Sequence, residues 1–221
     1  MKNCLSFIVL LLPWAIKRPL LIRIWGYALH PTARIAFAWV FPESLTMEAH
    51  SRIGNLTICK GLHHLCLEDH ASIGRANWIT GFPRGPSRHF GHQPERSPGL
   101  HLERHAAITS RHIIDCTAQV TVGHHATVAG FRSQILTHSI DLENNRQSSS
   151  PVRIGAYSFV GTGCVVLGGS VLPDYAVLGA KSLLNKAHTE SYRLYAGVPA
   201  RDVKALPKWW GYFHRQEGFV Y

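Results

Sequence analysis

The chain has 221 residues, 46% of them apolar and only 16% charged, enough apolar material for one buried core and too little charge for a disordered segment. Its 23 basic residues against 13 acidic ones give a formal net charge of +10, which favours an anionic partner: a phosphate-bearing cofactor, an anionic membrane surface or nucleic acid. Nucleic acid ranks last, because no helix-turn-helix, zinc-finger or RNA-binding signature is present and the basic residues are scattered rather than set along one element.

At the N-terminus, Leu5 to Ile16 is strongly apolar behind Lys2. It does not read as a signal peptide, since no small-x-small cleavage site follows; Lys17, Arg18 and Pro19 lead instead into Leu20-Leu21-Ile22-Arg23-Ile24-Trp25. The run is shorter than the ~20 residues that cross a bilayer, and Pro13 interrupts it. Residues 1–30 are expected to form an apolar and basic helical segment, with two readings of equal weight. One is an interfacial helix peripheral to an anionic membrane, with Lys17, Arg18 and Arg23 at the headgroups; the other is a cap on the end of the domain that follows.

Residues 31–185 carry a repeat. Ile53 and Cys59 open it; Leu67, Ile73 and Ile79, then Leu102, Ile108 and Ile114, then Val122 and Val128 follow with breaks between the groups. From Ile154 an aliphatic recurs at every sixth position through Val160, Val166, Leu172, Leu178 and Leu184. Compact residues follow these slots (Gly155, Gly161, Leu167, Pro173, Gly179), and four positions on stand Ser158, Cys164, Ser170, Ala176 and Ser182. A six-residue unit of one short strand and one tight turn makes a triangular coil from three units, and stacked coils bury the aliphatics in one column. The expected fold is therefore a parallel β-helix. His112 and Arg132 stand where small turn residues are expected, so the early rungs are expected to be distorted. Two excursions, loops 81–99 and 135–151, leave the coil, and a solenoid places its chemistry where loops hang over its side.

Residues 186–221 leave the repeat. Glu190 to Leu194 reads as a short helix, and Trp209, Trp210, Tyr212, Phe213 and Phe219 read as an aromatic cap over the open end of the solenoid. The five cysteines, Cys4, Cys59, Cys66, Cys116 and Cys164, have no paired spacing; they read as small apolar fillers in a reducing cytoplasm. No metal set emerges, because the paired histidines His63-His64 and His124-His125 diverge in a strand and no cysteine or carboxylate completes a closed site.

The block Leu136-Thr137-His138-Ser139-Ile140-Asp141, then Pro151-Val152-Arg153-Ile154-Gly155, Val160-Gly161-Thr162-Gly163 and Tyr195-Ala196-Gly197-Val198-Pro199-Ala200-Arg201 resembles, in order and spacing, the hexapeptide-repeat acyltransferases. The resemblance runs from about Ile53 to Leu206 and is strongest to the galactoside, maltose and exopolysaccharide O-acetyltransferases. It implies a left-handed β-helix, a homotrimer, acetyl-CoA as co-substrate and a hydroxyl acceptor, with His138 as general base. The left hand rests on the resemblance alone, since parallel crossovers are ordinarily right-handed.

The residues argue for the same chemistry. A thioester is already activated, so acyl transfer to an alcohol chiefly needs removal of the hydroxyl proton and donors for the developing oxyanion. One neutral imidazole serves the first need near pH 7. Of the 15 histidines, His138 alone lies in the motif and on an excursion. An orienting partner is expected for its second nitrogen: Asp141 and Glu143 are near in sequence, and a backbone carbonyl is an alternative. Acceptor-binding candidates are Asn77 and Trp78, an amide beside an aromatic face, and Arg111 with Asp115. Each has a plain alternative: a turn asparagine, a Trp packed under loop 81–99, a surface Arg111–Asp115 ion pair. For coenzyme A the small residues Gly161, Thr162, Gly179 and Ala180 permit close approach to backbone amides, and Lys181, Arg201 and Lys204 suit its phosphates.

The leading reading is a cytoplasmic or membrane-peripheral O-acetyltransferase acting on a sugar, glycolipid or polysaccharide precursor, without a metal. The alternatives are N-acetylation of an amino sugar or other amine, a non-catalytic β-helix that binds or scaffolds partners, and a membrane-surface module resting on the N-terminal segment.

Overall fold

A computed structural model describes residues 2–85 and 89–220 of the chain; the Cys4 side chain lies outside the described residues. Seven three-sided coils, residues 28–41, 44–60, 64–80, 99–115, 119–136, 152–167 and 171–184, stack into a parallel β-helix. Each coil gives one strand of two to four residues to each of three faces. Alternate side chains point inward, so Ile35, Ile53, Ile73, Ile108, Val128, Val160 and Leu178 form one in-register column on the second face, every member 3% exposed or less. The same alternation on the other faces completes a single core.

The repeat starts at Ala28, one coil before Ile53. Leu29, Ile35, Val40, Leu45 and Met47 fill the inward positions there, but the steps from Ile35 to Val40 and from Val40 to Leu45 are five residues, which breaks the six-residue period. The expected distortion of the early rungs does not occur, for all seven coils pair in parallel register. His112 is buried and completes its corner as a hydrogen-bonding residue. Its Nδ1 accepts the Ser133 N–H at 3.2 Å. Its Nε2 lies 3.0 Å from Thr109 Oγ1, whose own hydrogen goes to Gly130 O at 2.8 Å, so Nε2 is the donor and the ring is neutral.

Burial pushes the His112 imidazole from 6.5 down to about 4, and a second proton would have to displace the Ser133 N–H. The unfolded chain therefore takes up this proton near pH 6.5 and the folded chain only near pH 4. Stability that is complete above pH 6.5 is lost as the pH falls between those values, by up to about 3 kcal/mol. Unfolding midpoints in urea measured across that window fall with pH, and the slope is shallower in His112→Gln; equal slopes in both proteins contradict the assignment.

The edge between the first and second faces carries an aromatic ladder. His50, His70, His105, His125, Tyr157, Tyr175 and Tyr192 all have φ between 53° and 60°, and successive ring centroids lie 4.6 to 5.3 Å apart. Left-handed backbone is unfavourable for such residues, by about 1–2 kcal/mol each, and the stacked rings offset part of that cost. The C-terminal tail lies along this edge rather than over the open end of the solenoid. Phe213 is buried edge-on to Tyr175 and Tyr192, the Gly218 N–H donates to His105 Nδ1, and Arg215 donates to His125 O. Trp209 and Phe219 stay exposed. No helix forms at residues 190–194: Arg193–Gly197 extends the second face beside Val177 and Leu178 and turns back into Ala200–Ala205, with Arg193 and Asp202 paired across the hairpin at 2.7 Å.

At the other end, helices α1 (Lys2–Leu11) and α2 (Trp14–Trp25) are separated by Pro13. α2 ends at Gly26, which takes the left-handed conformation a C-cap requires (φ 73°). Leu21 and Tyr27 are buried with the first coil, and Phe7 and Trp25 pack on Trp39 and Phe41. The pair is a cap. Lys17 is buried, donates to Ala36 O at 3.1 Å, and is lowered by burial to about 8; Arg18 donates to Leu29 O at 2.7 Å. Neither reaches outward to headgroups, which leaves only Arg23 of the expected three. Among the described residues no helix is long and apolar enough to cross a membrane.

Candidate active site

Both excursions leave from the edge between the third and first faces. The second is shorter than the sequence suggested, because Ile135 and Leu136 still belong to strand Gln134–Leu136; beyond Thr137 the chain forms an antiparallel hairpin, His138–Asp141 against Arg146–Ser149. The first excursion folds onto this hairpin. Gln93 clamps it, donating to Ser149 O at 2.9 Å and accepting from the Ser149 N–H and Oγ at 3.1 and 3.0 Å. Arg96 ties the loop to itself and to the coil, donating to Phe82 O, Pro83 O and Thr117 O at 2.7–2.8 Å.

His138 sits at the root of the hairpin and its Nδ1 lies 2.8 Å from Asp115 Oδ2. Asp115 ends the third-face strand one coil earlier, where it pairs in register with Leu136, so the carboxylate lies directly beside the start of the excursion. Its two oxygens also accept the Thr137 N–H and Oγ1, the His138 N–H, and the Thr117 N–H and Oγ1. Burial alone would raise this carboxyl, but the hydrogen bonds from Thr117, His138 and Thr137 outweigh it and hold the group below its ordinary range. An ionised carboxylate only accepts, so Nδ1 carries a hydrogen, and in the neutral imidazole the lone pair is on Nε2. His138 lines a 320 Å³ pocket with Ser139, Ser148, Ser149, Ser150, Gly168 and Asn185 among its walls. Phe82 meets the imidazole edge-on at 5.4 Å and Phe90 lies 6.5 Å away. Gly168 is needed here, because a Cβ would stand 2.7 Å from Thr137 O.

Asp115 therefore holds His138 Nδ1, and donors from Thr117, Thr137 and His138 occupy both of its oxygens. Among the described residues it makes no ion pair with Arg111. Asp141 turns away to Arg146 and Asn144, and Glu143 is exposed on the hairpin tip. Asn77 and Arg111 lie on the edge between the second and third faces, one face away. Asn77 is buried, its amide donating to Thr109 O and its carbonyl accepting the His112 N–H, so it holds a corner together. Arg111 is an exposed left-handed corner residue. Trp78 is about half exposed on the third face under the Lys60 ammonium and makes no ring contact with the described residues of the loop at 81–98.

Of the cofactor candidates, Gly161, Thr162, Gly179, Ala180 and Lys181 also lie on the edge between the second and third faces. There a Cβ on Gly161 would stand 2.7 Å from Ala180 N, and Thr162 Oγ1 is used in bridging to Phe131. The terminal hairpin brings Arg201 to this corner: Gly179 N–H donates to Tyr195 O, and Arg201 pairs with Ala196. Lys204 is exposed three residues on, opposite Leu194. The third face separates this group from His138. Phe82, Phe90, Gln93, Arg96, Gly168 and Asn185 carry no motif and were not singled out by sequence; the unusual length and composition of loop 81–99 was the only signal for the first four. Among the described residues no group of three His, Cys, Asp or Glu side chains gathers as a metal site requires.

The chain superposes on the hexapeptide-repeat-containing acetyltransferase VCA0836 of Vibrio cholerae with a TM-score of 0.53 and 17% identity, over 93% of this chain and 88% of that one. It superposes on a maltose O-acetyltransferase of Clostridium difficile 630 with a TM-score of 0.53 and 14% identity, over 93% and 84%. A variant of AntD, an N-acyltransferase of Bacillus cereus, matches at 0.51 and 14%, over 87% and 90%. No protein-family model matches the sequence, and no curated protein does. At these identities the likeness shows the fold: the chain is a left-handed parallel β-helix of the kind that hexapeptide-repeat acetyltransferases have.

Proposed function

We propose that the protein transfers an acetyl group from acetyl-CoA to a hydroxyl of a sugar, glycolipid or polysaccharide precursor. The observation that carries this reading is the Asp115–His138 pair at the excursion edge, with Nδ1 held by the carboxylate and the imidazole lining a pocket. Nε2 takes the acceptor's hydroxyl proton as its oxygen attacks the thioester carbonyl, and Asp115 stabilises the imidazolium that results. Collapse of the tetrahedral intermediate breaks the C–S bond, and the imidazolium returns the proton to the departing thiolate. Asn185 supplies an amide donor within the same pocket. VCA0836 has been crystallised with acetyl coenzyme A, and the AntD variant with dTDP and coenzyme A, which supports the co-substrate. Serine hydroxyls line the His138 pocket and no carboxylate does, which favours a hydroxyl over an ammonium acceptor.

The active protein is proposed to be a homotrimer. Outward positions on the third face run Trp39, Ile58, Trp78, Ile113, Gln134, Val165 and Leu183, six of them large and apolar, whereas the first face runs Ala28, Thr46, Cys66, His101, Thr121, Arg153 and Val171, with polar or charged residues at four. Three copies packed through the third face about one axis place the His138 edge of each beside the Gly161–Lys181 edge of the next, which joins the two halves of the site. Coenzyme A then has Lys181, Arg201 and Lys204 for its phosphates. Sedimentation of Trp78→Glu/Ile113→Glu is expected to show monomers where the parent is a trimer; a monomeric parent sinks this assembly. The function itself is tested by thiol release from acetyl-CoA, which is expected to require a sugar acceptor. Coenzyme A that neither binds nor turns over with any acceptor would contradict it.

A further inference from the structure

A second cavity, of 360 Å³, lies within the loop at 81–98 and is lined by Arg84, Gly85, Phe90, Gly91, Gln93, Pro94 and Arg96. Among the described residues two guanidiniums and no carboxylate face it. Arg96 is ringed by the neutral carbonyls of Phe82, Pro83 and Thr117, stands 4.2 Å over the Phe90 ring, and among the described residues finds no acceptor for its Nε. Burial, together with the neighbouring Arg84 charge, lowers the Arg96 guanidinium below its ordinary value, and the more distant Asp115 only partly opposes this. Arg84 has no ion-pair partner among the described residues. Two like charges held together beside an apolar ring are unfavourable unless a counter-charge joins them. Phe90, the floor of this cavity, is the ring 6.5 Å from His138, a span comparable with the breadth of one pyranose.

We propose that this cavity takes the anionic group of the acceptor, a carboxylate or a phosphate, between Arg84 and Arg96, so that the substrate is an acidic sugar whose reacting hydroxyl lies at His138. The inference rests on the transferase reading. It adds the charge of the acceptor and assigns the loop at 81–98 to acceptor recognition. Arg84 supplies an exposed charge and Arg96 one tied to backbone carbonyls, and a bidentate guanidinium–oxyanion contact gives both affinity and orientation.

The test is calorimetric titration of the full-length protein with glucuronate, glucose 6-phosphate and glucose, with and without saturating coenzyme A. At least one charged sugar is expected to bind about ten-fold or more tightly than glucose, and Arg84→Ala is expected to abolish that preference, with Arg84→Lys keeping part of it. Arg84 is chosen because Arg96 also holds the loop. Equal binding of all three sugars, no binding of either charged sugar, or a preference that survives in Arg84→Ala overturns the proposal. So does displacement of the charged sugar by coenzyme A, which would assign the cavity to the cofactor's phosphates. Selective binding without acetyl transfer would instead sink the transferase reading, and transfer to neutral sugars alone would sink only this inference.

Discussion

Replacing His138 by alanine is expected to lower acceptor-dependent thiol release by about 10²–10⁴-fold, the usual contribution of a general base, while leaving the fold intact. The side chain is a third exposed and lies outside the buried core, with Phe82 and Phe90 at its ring edges, so its removal opens no core cavity. The loss is expected mainly in kcat, because the imidazole acts on the hydroxyl proton in the transition state and contributes little to holding the acceptor. Turnover within a few-fold of the parent would remove His138 from the mechanism, whatever the fold.

Asp115→Asn is expected to cost nearly as much activity, about 10²–10⁴-fold, for a different reason. An amide in place of the carboxylate no longer holds Nδ1–H as a charged acceptor and gives the imidazolium no counter-charge, so the ring is free to adopt the tautomer that puts hydrogen on Nε2. Stability falls too. Six donors from Thr117, Thr137 and His138 converge on the two oxygens, and an NH₂ group turned toward either set faces donors without an acceptor, at a cost of about 1–3 kcal/mol. The folded carboxyl is held below its ordinary range, so the stability it contributes is full above that range and is lost as the pH falls through the folded value. Acid unfolding in Asp115→Asn is therefore expected to begin from a lower plateau and to show a shallower dependence on pH. A variant with parental kcat and an unchanged acid transition would break the proposed dyad.

The partnership of Asp115 and His138 was within reach of the sequence but not of its local pattern. The two are 23 residues apart, which is one coil plus the departure into the excursion. Aligning the inward positions Ile114 and Ile135 puts Asp115 beside Leu136, and Thr137 and His138 come next. Nearness along the chain pointed instead to Asp141 and Glu143, and the hairpin carries both away from the imidazole. Asn77 and Arg111 lie apart from His138 within one chain for a related reason: they stand at a corner one face from the excursions, where the buried Asn77 amide joins coils. The aromatic tail was legible as a packing element, but its place was not, because the ladder it covers is assembled from seven residues on seven separate turns.

What the sequence by itself determined was the stack. Each six-residue unit makes the same strand and the same turn, and its inward residue needs only the equivalent residue of the next coil as a partner, so a short-range period is enough to specify a long-range column. The motif around Thr137 and His138 likewise marked the histidine that the proposed mechanism uses as its base. What only the tertiary structure decided was everything that depends on an irregular segment closing on a regular one: the carboxylate beside the imidazole, the Gln93 clamp on the hairpin, and Arg96 set over Phe90. Loop 81–99 has no period of its own, and its conformation follows from hydrogen bonds to carbonyls and side chains of distant coils, contacts whose partners become neighbours only once the helix has stacked.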